Sequence, residues 1–131
     1  MIFKNEELIP VGNFLKNLTL PAQVSRGRTK LLTAIQNSVT DLASSERELV
    51  SEFGGVVDDK GNVIWENDIP VEYHKEHNVL LKEEVNIDIN QPTLIKALKD
   101  FFINWNEEIK PEDADVFDVL YDALEQQTEE K

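Results

Sequence analysis

Apolar positions spaced three and four residues apart run through most of this chain and predict helices. The longest such segment extends from about residue 25 to residue 53, and at 1.5 Å per residue it predicts a helix roughly 40 Å long. Gly54 and Gly55 follow it and favour a left-handed stop. A helix of this length cannot bury its apolar stripe alone. We therefore expect it to pack against the rest of the chain, or against a second copy in a homo-oligomer.

Four shorter segments carry the same helical spacing. The first begins at Asn5 and is weakened by Pro10 and Gly12. Each of the others opens with a proline, which is favoured in the first turn of a helix. These predicted helices cover residues 5–18, 70–84, 92–105 and 111–127.

Short β-prone runs separate the helices. Two of them flank a turn that contains Gly61 and predict a hairpin near residues 56–65. Residues 1–4 and 85–89 alternate between apolar and polar side chains, as half-buried strands do. We therefore expect a small sheet that includes the hairpin and also recruits these two segments.

The combined pattern predicts an α+β fold, namely a mainly helical single domain over residues 1–131 with a long amphipathic helix and a small β-hairpin or sheet. Residues 128–131 are expected to form a frayed acidic tail. The predicted core consists of Phe14, Leu15, Leu31, Ile35, Leu42, Leu49, Ile87, Leu98, Phe102, Phe117, Leu120 and Leu124.

The formal net charge of -13 is concentrated in the second part of the chain. Residues 1–54 carry six basic and six acidic side chains, whereas residues 55–131 carry seven and twenty. Negative charge opposes the approach of phosphate backbones and anionic lipids, so we expect no direct nucleic-acid binding and no membrane association. Neither a secretory signal nor a membrane-spanning apolar run is recognised, and the expected location is the cytoplasm.

Residue patterns of common catalytic and cofactor sites are missing. Cysteine is absent, which removes disulfides and thiolate chemistry, and no nucleophile-elbow or phosphate-binding glycine motif occurs. His74 and His77 share a helix face, but two ligands are too few for a zinc site. In the turn at 58–62, Lys60 occupies a position where a calcium loop requires an oxygen ligand. We predict no catalytic residue, no cofactor and no metal site.

The acids of the last predicted helix are regularly spaced. Asp115, Asp118, Asp122 and Glu125 recur at intervals of three, four and three residues and form one stripe opposite the apolar face. Two interpretations remain open. The stripe is either the solvated face of an acidic protein or a negative ridge that docks on a basic surface of a partner.

Three cations lie near the start of the long predicted helix. Arg26, Arg28 and Lys30 fall within five residues of one another. They form a solvated helix start, or they contact an acidic partner, or they contact the acidic part of this same chain.

Several segments together resemble a family of small proteins encoded by bacteriophages and prophages of Gram-positive bacteria. They are Phe-Lys-Asn-Glu-Glu-Leu-Ile-Pro at 3–10, Ser-Arg-Gly-Arg-Thr-Lys-Leu at 25–31, Asp-Lys-Gly-Asn at 59–62, and the segment 111–121 that begins Pro-Glu-Asp-Ala-Asp. The likeness covers nearly the whole chain. The family is a domain of unknown function, so the resemblance implies a phage setting without implying catalytic residues, a cofactor or a substrate.

The expected function is that of a non-enzymatic phage accessory protein that binds a phage or host protein in the host cytoplasm. One alternative is an acidic inhibitor that uses the stripe to occupy the nucleic-acid channel of a host defence enzyme. Another is a minor structural or assembly component of the phage tail, in which the long helix self-associates and the protein is found in the virion.

Overall fold

The computed structural model describes residues 1–127 as a mainly helical α+β fold, which confirms the predicted class. Single turns of 3-10 helix at Asn5–Glu7 and Pro111–Asp113 lead into the first and last α-helices. The predicted tail at 128–131 lies outside the described residues. In chain order the elements are β1 (Ile2–Lys4), α1 (Leu8–Lys16), α2 (Ala22–Glu52), β2 (Gly55–Val57), β3 (Val63–Trp65), α3 (Val71–Lys82), β4 (Glu84–Asn86), α4 (Pro92–Ile103) and α5 (Ala114–Glu125).

The strands form two separate antiparallel pairs, so the expected single sheet is wrong. The predicted hairpin pairs β2 with β3, and Val56 lies opposite Ile64. The other pair joins β1 to β4 and places Phe3 opposite Val85. The predicted strand at 85–89 forms β4 only as far as Asn86. Ile87 continues the backbone pairing, because its N–H donates to the Met1 carbonyl oxygen at 2.7 Å and its carbonyl oxygen accepts from the Met1 amino group at 3.0 Å.

After β4, alternate side chains of the chain face the core. Ile87 and Ile89 are 2% and 8% exposed, so the alternation correctly indicated which side chains face inward. The Asn90 backbone N–H donates to Asp88 Oδ1 at 2.8 Å, and Asn90 has a positive φ of 51°. This local turn ends the extended segment, and α4 begins shortly after it.

The hydrophobic core lies among α1, the first half of α2, α4, α5 and β1. Two predicted core residues, Leu49 and Phe117, are only half-buried. Val50 takes the inward position beside Leu49, while Leu49 lines an open cleft between α2 and α3. Phe117 packs edge-on against Phe14 at the margin of the core. The largest fully buried side chains are Phe3, Phe102, Leu8, Leu15, Leu31, Ile87, Leu98, Leu120, Leu124 and Val11.

The second half of α2 extends past this core and packs against the hairpin and α3. Tyr73 lies between the rings of Trp65 and Phe53, with centroid separations of 5.1 and 6.1 Å. A Cβ atom on Gly55 would lie 2.7 Å from Val50 Cγ1, so only glycine lets β2 approach the helix this closely. The long helix is therefore covered by different parts of the chain along its length.

Candidate partner-binding surface

Helix α5 is held in place by its apolar face. Leu120, Ala123 and Leu124 are buried against α1 and α4, with exposed fractions of 0 to 3%. Proline and acidic residues open the helix in the favoured order, because carboxylates near a helix N-terminus interact well with its positive dipole end. One face of α5 is thus fixed in the core, and the opposite face points to solvent.

The four acids predicted to form a stripe lie on that solvent face. Asp115, Asp118, Asp122 and Glu125 are all exposed. At 1.5 Å per residue the row spans about 15 Å. Among residues 1–127, none of the ion pairs includes any of these four side chains. Within this part of the chain, the stripe is therefore a row of four negative charges without an ion-pair partner.

An apolar groove lies beside this acidic stripe, between α1 and α5. It has a volume of about 270 Å³. The sequence did not indicate it, because its walls come from segments about a hundred residues apart. The lining side chains are Pro10, Val11, Val116 and Val119, with the carboxylates of Glu6, Glu7, Glu112 and Asp115.

The three cations near the start of α2 do not act as one exposed cluster. Arg26 and Lys30 are exposed. The Arg28 guanidinium instead donates from Nη1 to the carbonyl oxygens of Leu15, at 3.1 Å, and Leu18, and from Nη2 to Ser25 Oγ. Arg28 therefore secures the end of α1, while contact of the three cations with a partner stays a prediction. The helix also begins three residues earlier than expected, at Ala22.

The two histidines have different surroundings. His74 is exposed, whereas His77 Nε2 lies 2.8 Å from Glu46 Oε2 and its ring stacks on Tyr73 at 5.6 Å. Over the described part of the chain, no group of three or more potential ligands is arranged to hold a metal ion. The contacts of His77 tie α3 to α2.

A recess of about 250 Å³ surrounds that contact and is lined in part by Glu46, Arg47, Tyr73 and His77. Burial raises the pKa of the Tyr73 hydroxyl above its ordinary value of 10.0, and the negative charge of Glu46 raises it further. Sequence reasoning missed this cluster because it joins side chains from α2 and α3 that are about thirty residues apart.

A second acidic area lies between α2 and α3. Glu48, Glu52, Glu76 and Glu83 are exposed along an open cleft of about 220 Å³. The surplus charge is therefore not confined to α5. This area matches the acidic stripe in number of carboxylates and provides a natural comparison for it.

Comparison with protein-family models, curated proteins and solved structures finds no match to this chain. The resemblance to phage-encoded proteins stays a prediction. Within residues 1–127, no helix is both long enough and apolar enough to cross a bilayer.

Proposed function

We propose that this chain is a non-enzymatic phage accessory protein that binds another protein through the acidic stripe of α5. The observation that carries the proposal is the row of four exposed carboxylates, none of which has an ion-pair partner among the described residues. The partner is a phage or host protein with a basic surface, and the encounter takes place in the host cytoplasm.

The physical basis is electrostatic. Carboxylates about 5 Å apart along a helix repel one another, and their negative fields add. A complementary basic surface offsets this repulsion with attraction. Such pairing raises the association rate and selects against acidic partners. It also weakens as salt shortens the Debye length from about 10 Å at 0.1 M to about 3 Å at 1 M.

A nucleic-acid-mimicking inhibitor is the second candidate, and the exposed row of carboxylates supports it as well. The row is about 15 Å long. It corresponds to roughly four phosphates of one DNA strand at about 3.4 Å each. In this version the partner's basic surface is the nucleic-acid channel of a host defence enzyme.

Affinity capture from phage-infected cells tests the proposal. The bait is the full chain, compared with a stripe variant that carries Asp115→Asn, Asp118→Asn, Asp122→Asn and Glu125→Gln. A matched control carries Glu48→Gln, Glu52→Gln, Glu76→Gln and Glu83→Gln, which removes the same charge from the cleft between α2 and α3. We expect a protein that is captured by the wild type and the control at low salt and lost by the stripe variant.

Other outcomes discriminate between the candidates. A captured nuclease or other nucleic-acid enzyme that is inhibited by the wild type and released by DNA would favour the mimic. Recovery of the chain in purified virions would favour a tail component. Absence of any captured protein, together with turnover of an ester or phosphoester by the pure chain, would reject the proposal.

A further inference from the structure

We infer that the groove between α1 and α5 receives an aliphatic side chain from a basic segment of the partner protein. The inference rests on the proposed function and deepens it, because Asp115 belongs to both the acidic stripe and the groove. The groove supplies the apolar contact that a row of exposed charges lacks.

The shape of the groove favours one or two aliphatic side chains. Val11 is fully buried at its base, while Val116 and Val119 are half-buried along the α5 side. The space of about 270 Å³ is open to solvent and framed by apolar groups. Burial of an aliphatic side chain against such a surface is favourable because both surfaces leave water.

Packing holds the groove in shape before any partner arrives. The rings of Phe14 and Phe117 meet edge-on with centroids 6.2 Å apart, which ties α1 to α5 beside the groove. Glu7 Oε1 accepts a hydrogen bond from the Lys4 backbone N–H at 2.7 Å, which fixes the turn before α1. A preformed groove loses little conformational freedom on binding.

Charges stand on both sides of the apolar base. Glu6 and Glu7 lie on the α1 side, and Glu112 and Asp115 lie on the α5 side. Glu6 is paired with Lys82 at 2.8 Å, but no ion pair among the described residues includes Glu112 or Asp115. A segment with an aliphatic residue between lysines or arginines therefore complements both the apolar base and the acidic rim.

Net charge also disfavours other occupants. A second copy of this chain would bring a further net charge of -13 toward the same acidic rim. Anionic lipid and nucleic-acid phosphates are repelled for the same reason. A basic protein segment is the occupant that this surface fits.

Nuclear magnetic resonance on the isotope-labelled full chain tests the inference with acetyl-Lys-Leu-Lys-amide as the probe. We expect saturable changes in the amide signals of Val11, Val116 and Val119. Acetyl-Lys-Ser-Lys-amide keeps the charges and removes the aliphatic side chain, and it should bind about tenfold more weakly. Equal affinities of the two peptides, or changes that avoid these three valines, would overturn the inference.

Variants locate the contact independently. Val116→Thr preserves side-chain shape but makes the groove more polar, and it should reduce affinity for the leucine peptide several-fold. Asp118→Asn lies on the same helix outside the groove and serves as the charge control against Asp115→Asn. We expect Asp115→Asn to have the larger effect, and equal effects would contradict the inference. If Val116→Thr fails to fold, the amide signals that change when the peptides bind to the wild-type protein still test the inference.

Failure of this inference is distinguishable from failure of the proposed function. If the stripe variant still loses its captured protein but the leucine and serine peptides bind equally, the stripe functions without the groove. If the peptides distinguish the groove but the stripe variant captures the same proteins as the wild type, the proposed function fails.

Discussion

Gly27 of α2 lies directly against Leu98 of α4. A Cβ atom built on Gly27 would be 2.9 Å from Leu98 Cγ and 3.1 Å from the Leu94 carbonyl oxygen. Gly27 and Leu98 are both buried where α2 and α4 cross. Absence of a side chain at residue 27 thus sets how closely α2 and α4 approach each other.

Replacement of Gly27 by alanine is therefore expected to destabilise the protein. Alanine favours a helix by about 1 kcal/mol over glycine, but overpacking costs about 1–3 kcal/mol. Because Leu98 Cγ would have to move and the tight neighbour at 3.1 Å is the backbone oxygen of Leu94, we expect a net loss of about 1–2 kcal/mol in the free energy of unfolding. Urea denaturation measures it.

Gly12→Ala is the matched control for that experiment. A Cβ atom at Gly12 would lie 3.7 Å from Ile35 Cγ2, which is ordinary contact. This variant should therefore gain about 0.5–1 kcal/mol from reduced backbone entropy in the unfolded chain. If both variants are stabilised, the proposed close contact at Gly27 is wrong.

Arg28 is expected to contribute to stability rather than to partner binding. Arg28→Gln removes charge-assisted hydrogen bonds to the carbonyl oxygens that end α1, and should cost about 1–2 kcal/mol. Arg26→Gln removes an equal charge from an exposed side chain and should change stability by less than about 0.5 kcal/mol. Equal losses in the two variants, measured by thermal unfolding, would contradict this assignment.

The Tyr73 hydroxyl is expected to make stability fall in alkaline solution. Its pKa in the folded protein is raised by burial and then by Glu46, whereas the unfolded chain ionises near the ordinary value of 10.0. Above that pH the unfolded state binds fewer protons than the folded state, so stability decreases as pH rises. The wild type should lose stability faster than Tyr73→Phe over the window that begins near pH 10.0.

Ultraviolet absorbance of tyrosinate checks the same effect directly. Tyr73→Phe should remove a component that ionises above the ordinary tyrosine value of 10.0. Glu46→Gln should lower the pKa of Tyr73 by removing the smaller of its two causes. An unchanged titration in Glu46→Gln would show that the carboxylate does not act on the phenol.

Helices were predictable from the sequence because their signals are local. Pro92 and the apolar spacing after it correctly indicated α4, which ends at Ile103. The start of α2 was placed three residues late because Val24, which is buried, was not recognised as part of the apolar stripe. The alternation of apolar and polar residues at 85–89 correctly predicted which side chains are buried. It could not predict the length of β1, the strand with which this segment pairs.

The candidate surface was predictable only in part. The acidic stripe could be found because its residues share one helix. The groove could not, because Pro10 and Val116 meet only after α1 and α5 pack together. The internal role of Arg28 was missed for the same reason, because the carbonyl oxygens that accept its hydrogen bonds lie at the end of α1.

Binding between the purified chain and the partner identified by capture tests the central claim most directly. The dissociation constant is measured by calorimetry for the wild type, the stripe variant and the control variant at several salt concentrations. We predict at least tenfold weaker binding and a shallower salt dependence for the stripe variant, with the control close to wild type. Equal weakening of both variants would show that overall charge, and not the exposed acidic stripe of α5, governs the interaction.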